Sequence, residues 1–410
     1  MSYISRVMHP ALLVGEIQLH IFNEISNKNT LNALARTCQA FTEAALDVLW
    51  RDLDSFTRLI ECMPHDLWTS TVIVNRSASQ RPGREVVYEY HKRTFKLCRT
   101  INSSDWDIFQ KYSRRVHYIR RPSNPGPPSR NERKDLLDDA CILALCSLSA
   151  PARLLPHLKS LIWTVDSDSH LLLLPRLLSP SLISLGLFFP VLYRRSQRLE
   201  FAPQISFEIC PSLRSLTVSS DRHLPQCALE GLKRSISQLQ SLDVLSWYHI
   251  GSETILSLGQ LSTLTRAAFE LPSNFFTYTA ALPSHSPMPK PVFSAVRMLQ
   301  IAYGDLTSMT AFLNYFNVGT QEIMMFSKSQ SPSQATTVRN FIAALGSSVS
   351  RDNFQCLNVI DKVERDRTGF HPIGIRELSP LLTFHRLQHL ELALQCPIVM
   401  NDAMLFEAGA

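Results

Sequence analysis

Apolar positions along the chain follow two different rhythms. Over residues 9–53, Ile17, Ile21 and Ile25 recur every four residues and Phe22 widens the stripe, which predicts an amphipathic helix. Asn27 to Asn29 break that pattern, and Thr30 is the expected N-cap of a second short helix carrying Leu31, Leu34, Ala35 and Cys38. A third segment places Phe41, Ala45, Val48 and Leu49 on one side and ends at Trp50. Units under roughly 70 residues bury too little surface to stand alone, so part of this apolar stripe is expected to stay open as a binding surface.

The second rhythm is L-x-x-L-x-Φ, where Φ is apolar. It occurs as Leu158, Leu161 and Trp163; Leu182, Leu185 and Leu187; Leu213, Leu216 and Val218; and Leu239, Leu242 and Val244. Later copies are Val296, Leu299 and Ile301; Phe354, Leu357 and Val359; and Leu387, Leu390 and Leu392. Leu261 and Leu264 begin a copy that fails at Arg266, and Ile323 to Phe326 falls near the middle of the one long interval. Repeats of this core at intervals of roughly 20–30 residues predict a leucine-rich-repeat-like solenoid with one strand and one helix or turn per unit. The last two apolar positions would lie on an inward-facing strand, and the first would pack where the chain turns into it. Val116, Tyr118 and Ile119 are a candidate earlier strand, which would start the array near residue 112.

Between these patterns lies a mixed connector over 54–111, in which Arg76 to Arg84 reads as a surface loop. Loops are expected at 120–134, 272–291 and 327–336, where proline, serine and charged residues cluster. The expected organisation is therefore a helical module at 9–53, the connector, and a solenoid over 112–400. Residues 401–410 leave Met404, Leu405 and Phe406 without a polar cap and read as a truncated tail.

Composition narrows the picture. Of 410 residues 45% are hydrophobic and 19% charged, enough for a sizeable core and against wholesale disorder. A net charge of +6 is too small and too scattered for a nucleic-acid partner, and Arg114-Arg115, Arg120-Arg121 and Arg194-Arg195 read as solvated loop charge. Nine cysteines, spread singly without C-x-x-C, read as reduced thiols of a cytoplasmic or nuclear protein. Apolar runs such as Leu182 to Leu192 are broken by proline and too short to span a bilayer, so no membrane association is expected.

The N-terminal segment, Leu13-Val-Gly-Glu16-Ile17-Gln-Leu-His-Ile21-Phe22, then Leu31 to Cys38, Phe41 and Leu49-Trp50-Arg51-Asp52-Leu53, resembles the F-box. With Ala44 to Trp50, Cys62-Met-Pro64 and Asp105-Trp106 it looks particularly like the F-box proteins abundant in mushroom-forming fungi. It departs from the family pattern in two places. Val14 or Gly15 stands where the opening proline is usual, and Phe41 stands for the tryptophan after the cysteine. The fold class thus expected is α/β, a three-helix F-box-like module followed by an irregular leucine-rich-repeat-like solenoid with a parallel sheet.

The resemblance implies the substrate-recognition subunit of a cullin-type ubiquitin ligase. The module would dock on a Skp-family adaptor, and through it on a cullin, while the repeats hold a protein substrate whose identity the sequence does not specify. Leu13, Ile17, Ile21, Leu34, Cys38, Phe41, Leu49 and Trp50 would be the adaptor face or its immediate support. A repeat-domain scaffold without ligase coupling is the alternative.

Enzyme signals are weak, and no catalytic residue, cofactor or metal is expected. The chain has no G-x-G-x-x-G or Walker-type phosphate loop, and Gly346-Ser347-Ser348 lacks the second glycine of a nucleophile elbow. His385 and His389 have zinc-helix spacing without the glutamate base. Asp166, Asp168 and His170 lack the glycine and glutamate of a calcium loop.

Overall fold

The computed structural model describes residues 9, 14–81, 84–120, 133–165, 167–189, 207–220, 242–247, 255, 258–259, 261–271, 293–327, 335–360, 373–394 and 398. Side chains are not described for 75–92, 133–134, 168, 220, 247, 335 and 375. The chain divides into two compact units, Met1–Leu185 with Leu192–Ile205, and Gly186–Val191 with Ser206–Ala410. The architecture is α/β, with helices flanking a mostly parallel sheet. Among the described residues no helix is long and apolar enough to cross a membrane.

The first unit opens with α1 (Gly15–Asn23), α2 (Lys28–Thr37) and α3 (Gln39–Arg51). The second helix starts three residues earlier than expected. Asn27, not Thr30, is its N-cap, and the Asn27 side chain accepts from the Asn29 N–H at 2.8 Å. Cys38 does not ride on α2; it is the extended residue between α2 and α3.

From α3 the backbone passes without a loop into β1 (Asp52–Leu53), which pairs in parallel with β4 (Tyr118–Ile119). β4 in turn pairs with β6 (Ser160–Thr164). The parallel sheet therefore begins at Asp52, ahead of the start expected near residue 112. Leu53 and Ile119 are both buried at register-matched positions.

Between β1 and β4 stand α4 (Thr57–Glu61), an antiparallel hairpin of β2 (Trp68–Arg81) and β3 (Arg84–Leu97), and α5 (Ser103–Ser113). Arg76 to Arg84 is thus not a surface loop, because the hairpin ladder runs out to Arg81↔Arg84. β5 (Arg133–Leu137) adds to β3 in parallel and leads into α6 (Asp139–Leu145), on which α7 (Asp168–Leu177) packs. Arg93 on β3 meets Glu61 of α4 at 2.7 Å and Asp135 of β5 at 2.8 Å, which fixes the base of the hairpin. Phe56, Phe109, Trp106 and Trp163 form the aromatic heart of the unit, with ring centroids 5.6 to 6.2 Å apart. β7 (Ser184–Phe189) lies at the division between the units.

In the second unit β8 (Ser215–Ser220), β9 (Val244–Trp247), β10 (Arg266–Glu270), β11 (Met298–Tyr303), β12 (Glu322–Ser327), β13 (Cys356–Ile360) and β14 (His389–Ala393) pair in parallel in chain order. Helix α8 (Leu306–Tyr315) packs on α9 (Ala335–Ser348), which also meets α10 (Ile375–Leu378) and the 3-10 turn Ser379–Thr383.

One backbone device recurs at the strand starts. A single carbonyl receives two successive N–H groups of the next strand: Asp243 O from Thr265 and Arg266, Thr265 O from Arg297 and Met298, Gln355 O from Gln388 and His389. In the first unit His117 O takes Lys159 and Ser160 in the same way. This shared acceptor holds the register whatever side chain sits nearby.

The register corrects two of the expected copies. Leu216 pairs with Leu245 and Val218 with Trp247, so Leu242, Leu245 and Trp247 occupy the repeat positions in place of Leu239, Leu242 and Val244. Leu239 itself lies outside the described residues. Ala267 pairs with Leu245 and Phe269 with Trp247, so the copy thought to fail at Arg266 is complete as Leu264, Ala267 and Phe269. The long interval contains a full strand, β12, whose Ile323 and Met325 match Leu299 and Ile301. Its leading position is Thr320, buried and satisfied by donating to Arg297 O at 3.0 Å.

The expected loops at 120–134, 272–291 and 327–336 lie mostly outside the described residues, as do Arg121, Arg194, Arg195 and the 401–410 tail. Where the first and third are described, 133–134 begin β5, 327 ends β12 and 335–336 begin α9, so those two loops are shorter than expected.

Candidate docking surface

The three N-terminal helices close a small core of their own. Phe22, Leu31, Ala44 and Ala45 are buried in it, and Leu19, Ile25, Leu34, Ala35, Phe41, Val48 and Leu49 pack around them. Phe22 and Phe41 meet edge to face at 5.5 Å. On α1 the buried residues are Gln18 and Phe22, and Ile25 packs inward just past the helix end, so the two isoleucines of the helix itself turn outward. Ile17 is 40% exposed and Ile21 42%, and Val14 at the N-cap is 42% exposed. At intervals of three and four residues they form one apolar row along the helix. Glu16, His20 and Glu24 are exposed beside it.

The eight expected residues therefore divide. Ile17 and Ile21 lie on the open face. Leu34, Phe41 and Leu49 are half-buried against the module's own core. Cys38 is half-buried at the α2–α3 junction. Trp50 packs against Tyr112 of α5, ring centroids 4.8 Å apart and tilted by 44°, and belongs to the anchorage of α3. Leu13 lies outside the described residues. Val14 was the residue missed: in the sequence it registers only as the stand-in for a proline, and its spacing from Ile17 and Ile21 was the available signal.

The module is held from behind. Arg115, expected as solvated charge with Arg114, is buried, and its guanidinium bonds the Glu43 and Asp47 carboxylates of α3. It also donates to Glu43 O at 3.3 Å and Lys111 O at 3.2 Å. The hydrogen bond from Arg115 holds the Glu43 carboxyl below the usual glutamate range. Arg51 donates to Asn23 Oδ1 at 2.6 Å and Lys28 Nζ to Asp52 O at 3.0 Å, tying α1 and α2 to the α3–β1 passage.

The remaining polar clusters have structural work. Ser167 and Ser169 donate to Asp139 Oδ1, and the Ser167 hydroxyl meets His170 Nδ1 at 2.9 Å, joining the start of α7 to the start of α6. His170 is buried against Trp163, with ring centroids 5.8 Å apart. Asp166 lies outside the described residues. Among the described residues no three His, Cys, Asp or Glu side chains are grouped to hold a metal ion. His389 is exposed on β14, 4.0 Å from Glu391.

The sequence matches no protein-family model, and no curated protein is detectably similar to it.

Proposed function

We propose that the chain is the substrate-recognition subunit of a cullin-type ubiquitin ligase, with α1 presenting the adaptor-binding face. The observation that carries this reading is the open row of Val14, Ile17 and Ile21 on a helix whose opposite side is already packed. Branched apolar side chains exposed in a continuous row mark an interaction surface rather than a scattered exposure. The resemblance of residues 13–53 to the F-box gives that polypeptide a class, a Skp-family adaptor. On this reading the parallel strands, whose L-x-x-L-x-Φ side chains are buried except on β14, where Leu390 is 45% exposed and Leu387 and Leu392 only half-buried, form an irregular leucine-rich-repeat-like solenoid that holds the substrate protein.

The test is capture of a purified Skp-family adaptor by the full chain, compared with Ile17→Asp and Ile21→Asp singly and together. Both sites are exposed, so each substitution should change stability by no more than about 0.5 kcal/mol. Capture should nevertheless be lost in the double variant. Leu34→Asp is a poor probe, because it would break the module's core. Wild-type chain that fails to take the adaptor, or capture that survives the double substitution, would overturn the proposal and leave a repeat-domain scaffold without ligase coupling.

A further inference from the structure

The hairpin of the first unit carries a second open surface, of a different kind. Its base is well packed: Leu67 and Phe95 are buried, Cys98 N–H donates to Leu67 O at 2.8 Å, and Trp68 lies against Phe95 at 5.4 Å. Beyond Ser70 the packing stops. Val72, Ile73 and Val74 are 58%, 51% and 50% exposed. Successive residues of a strand point to opposite faces, so three exposed in a row mean that both faces of β2 are bare there.

The strand is also an edge. Among the described residues the sheet order is β2–β3–β5, with β3 paired on both sides and β2 on one. Edge strands usually carry protection in the form of a lysine, a proline or an inward charge. No charged residue or proline occurs from Leu67 to Asn75, and the exposed segment is built of β-branched residues, the best strand formers. Such an edge offers a row of backbone donors and acceptors flanked by apolar side chains, which is what an extended peptide uses when it adds a strand.

Charge decides the occupant. From Trp68 to Leu97 the sequence has six basic residues, Arg76, Arg81, Arg84, Lys92, Arg93 and Lys96, against Glu85 and Glu89. Arg93 is already engaged by Glu61 and Asp135. β2 itself has arginines and no carboxylate, and Lys92 is the residue in register with Ile73. A second copy of the chain would bring an equally basic hairpin to this edge. An acidic strand would be attracted to it.

We infer that β2 is a strand-docking edge for an extended segment of a partner protein that alternates carboxylate and β-branched residues. Backbone hydrogen bonds would seat the segment, Val72, Ile73 and Val74 would pack its apolar residues, and the basic hairpin would draw in its carboxylates. The site does not depend on the α1 face, and substitutions in one should leave the other's partner bound.

Fluorescence anisotropy of the full chain with a labelled peptide of alternating Glu and Val tests this. The Glu-Val peptide should bind at least about tenfold more tightly than its Lys-Val counterpart, and Ile73→Glu should weaken it by at least about tenfold. Two backbone-methylated versions, with methyl groups on alternate peptide nitrogens in the two possible phases, are read on wild-type protein, so folding of a variant is not at issue. One phase should lose about tenfold and the other stay within about twofold, because only alternate N–H groups of a docked strand face its neighbour. Failure of the Glu-Val peptide to bind, indifference to its charge, or equal effects of both methylation phases would overturn the proposal. Self-association abolished by Ile73→Glu, without peptide binding, would also overturn it and assign the edge to a second copy.

Discussion

Replacing Arg115 with methionine should loosen α3 from α5 while leaving the rest of the first unit folded. The guanidinium is 4% exposed and serves four acceptors, the Glu43 and Asp47 carboxylates and the carbonyls of Glu43 and Lys111. Hydrogen bonds to charged groups are worth about 1.5–3 kcal/mol each where both partners are dry. Here the carboxylates are 65% and 47% exposed and regain water when the arginine leaves, so most of that figure must be discounted. Methionine also refills part of the volume of the arginine stem.

The net loss should be about 2–3 kcal/mol, below the 3–5 typical of breaking a wholly buried pair. In native-state hydrogen exchange this corresponds to about 30- to 150-fold faster exchange over α3. Glu43→Gln or Asp47→Asn alone should cost about 0.5–1 kcal/mol, because the other carboxylate keeps the arginine paired. The double substitution should cost more than the sum, since it leaves a buried cation without an anionic partner. The Glu43 carboxyl is depressed in the folded state, so its stabilising contribution is present above the ordinary glutamate range and is lost as pH falls through the folded value. Arg115→Met should flatten that acid limb. Unchanged α3 exchange in Arg115→Met, or additive carboxylate variants, would refute the clamp.

Three further outcomes follow from packing and charge. Gly346→Ala would set a Cβ 2.5 Å from Pro380 Cβ, so the usual helix gain of about 1 kcal/mol should be outweighed by about 1–3 kcal/mol of overpacking; a raised melting temperature would contradict this. Buried Asp105 accepts from Arg99 at 2.6 and 3.0 Å and from Asn102 N–H at 2.9 Å, and the Arg99 hydrogen bond holds its carboxyl below the usual range. Its contribution is present above the ordinary aspartate range and is lost as pH falls through the folded value. Asp105→Asn should therefore cost about 1–3 kcal/mol at pH 7 and weaken the fall of the urea midpoint below about pH 4; an unaltered pH profile would count against it. Burial pushes the thiols of Cys141 and Cys62 up to about 12, while Cys98 is exposed. A thiol reagent at pH 8 should label Cys98 readily in the native chain, half-buried Cys62 more slowly, and Cys141 only in denaturant; native labelling of Cys141 at the rate of Cys98 would refute the burial argument.

Sequence patterning located the strands better than their register. Leu239, Leu242 and Leu245 are spaced by threes, so L-x-x-L fits at either start, and only the backbone pairing with Leu216 selects Leu242 and Leu245. Ala267 and Thr320 show why single copies were missed. A small or hydroxylated residue is tolerated where neighbours fill the space or a carbonyl takes the proton, as Arg297 O does for Thr320. The β2–β3 hairpin was hidden by its outer half, since the polar run Arg76 to Arg81 and Pro82-Gly83 read as a loop although Val72 to Val74 before it and Val86 to Tyr88 after it are strand formers. The burial of Arg115 was beyond the reach of sequence, because its acceptors on α3 are some seventy residues away.

The helical module is anchored unevenly, and that bears on how it could serve a partner. α3 is held by Arg115, by Trp50 on Tyr112 and by direct continuation into β1, whereas α1 is held by one side of its surface and by the Arg51–Asn23 bond. Its other side is the open row. A partner seated on Val14, Ile17 and Ile21 would push α1 onto α3, and α3 has no loop in which to absorb the displacement before the sheet begins at Asp52. The open row of α1 and the first strand of the sheet are therefore coupled by packing rather than by a linker. A glycine-serine insertion between Arg51 and Asp52 should separate the two without changing Val14, Ile17 or Ile21.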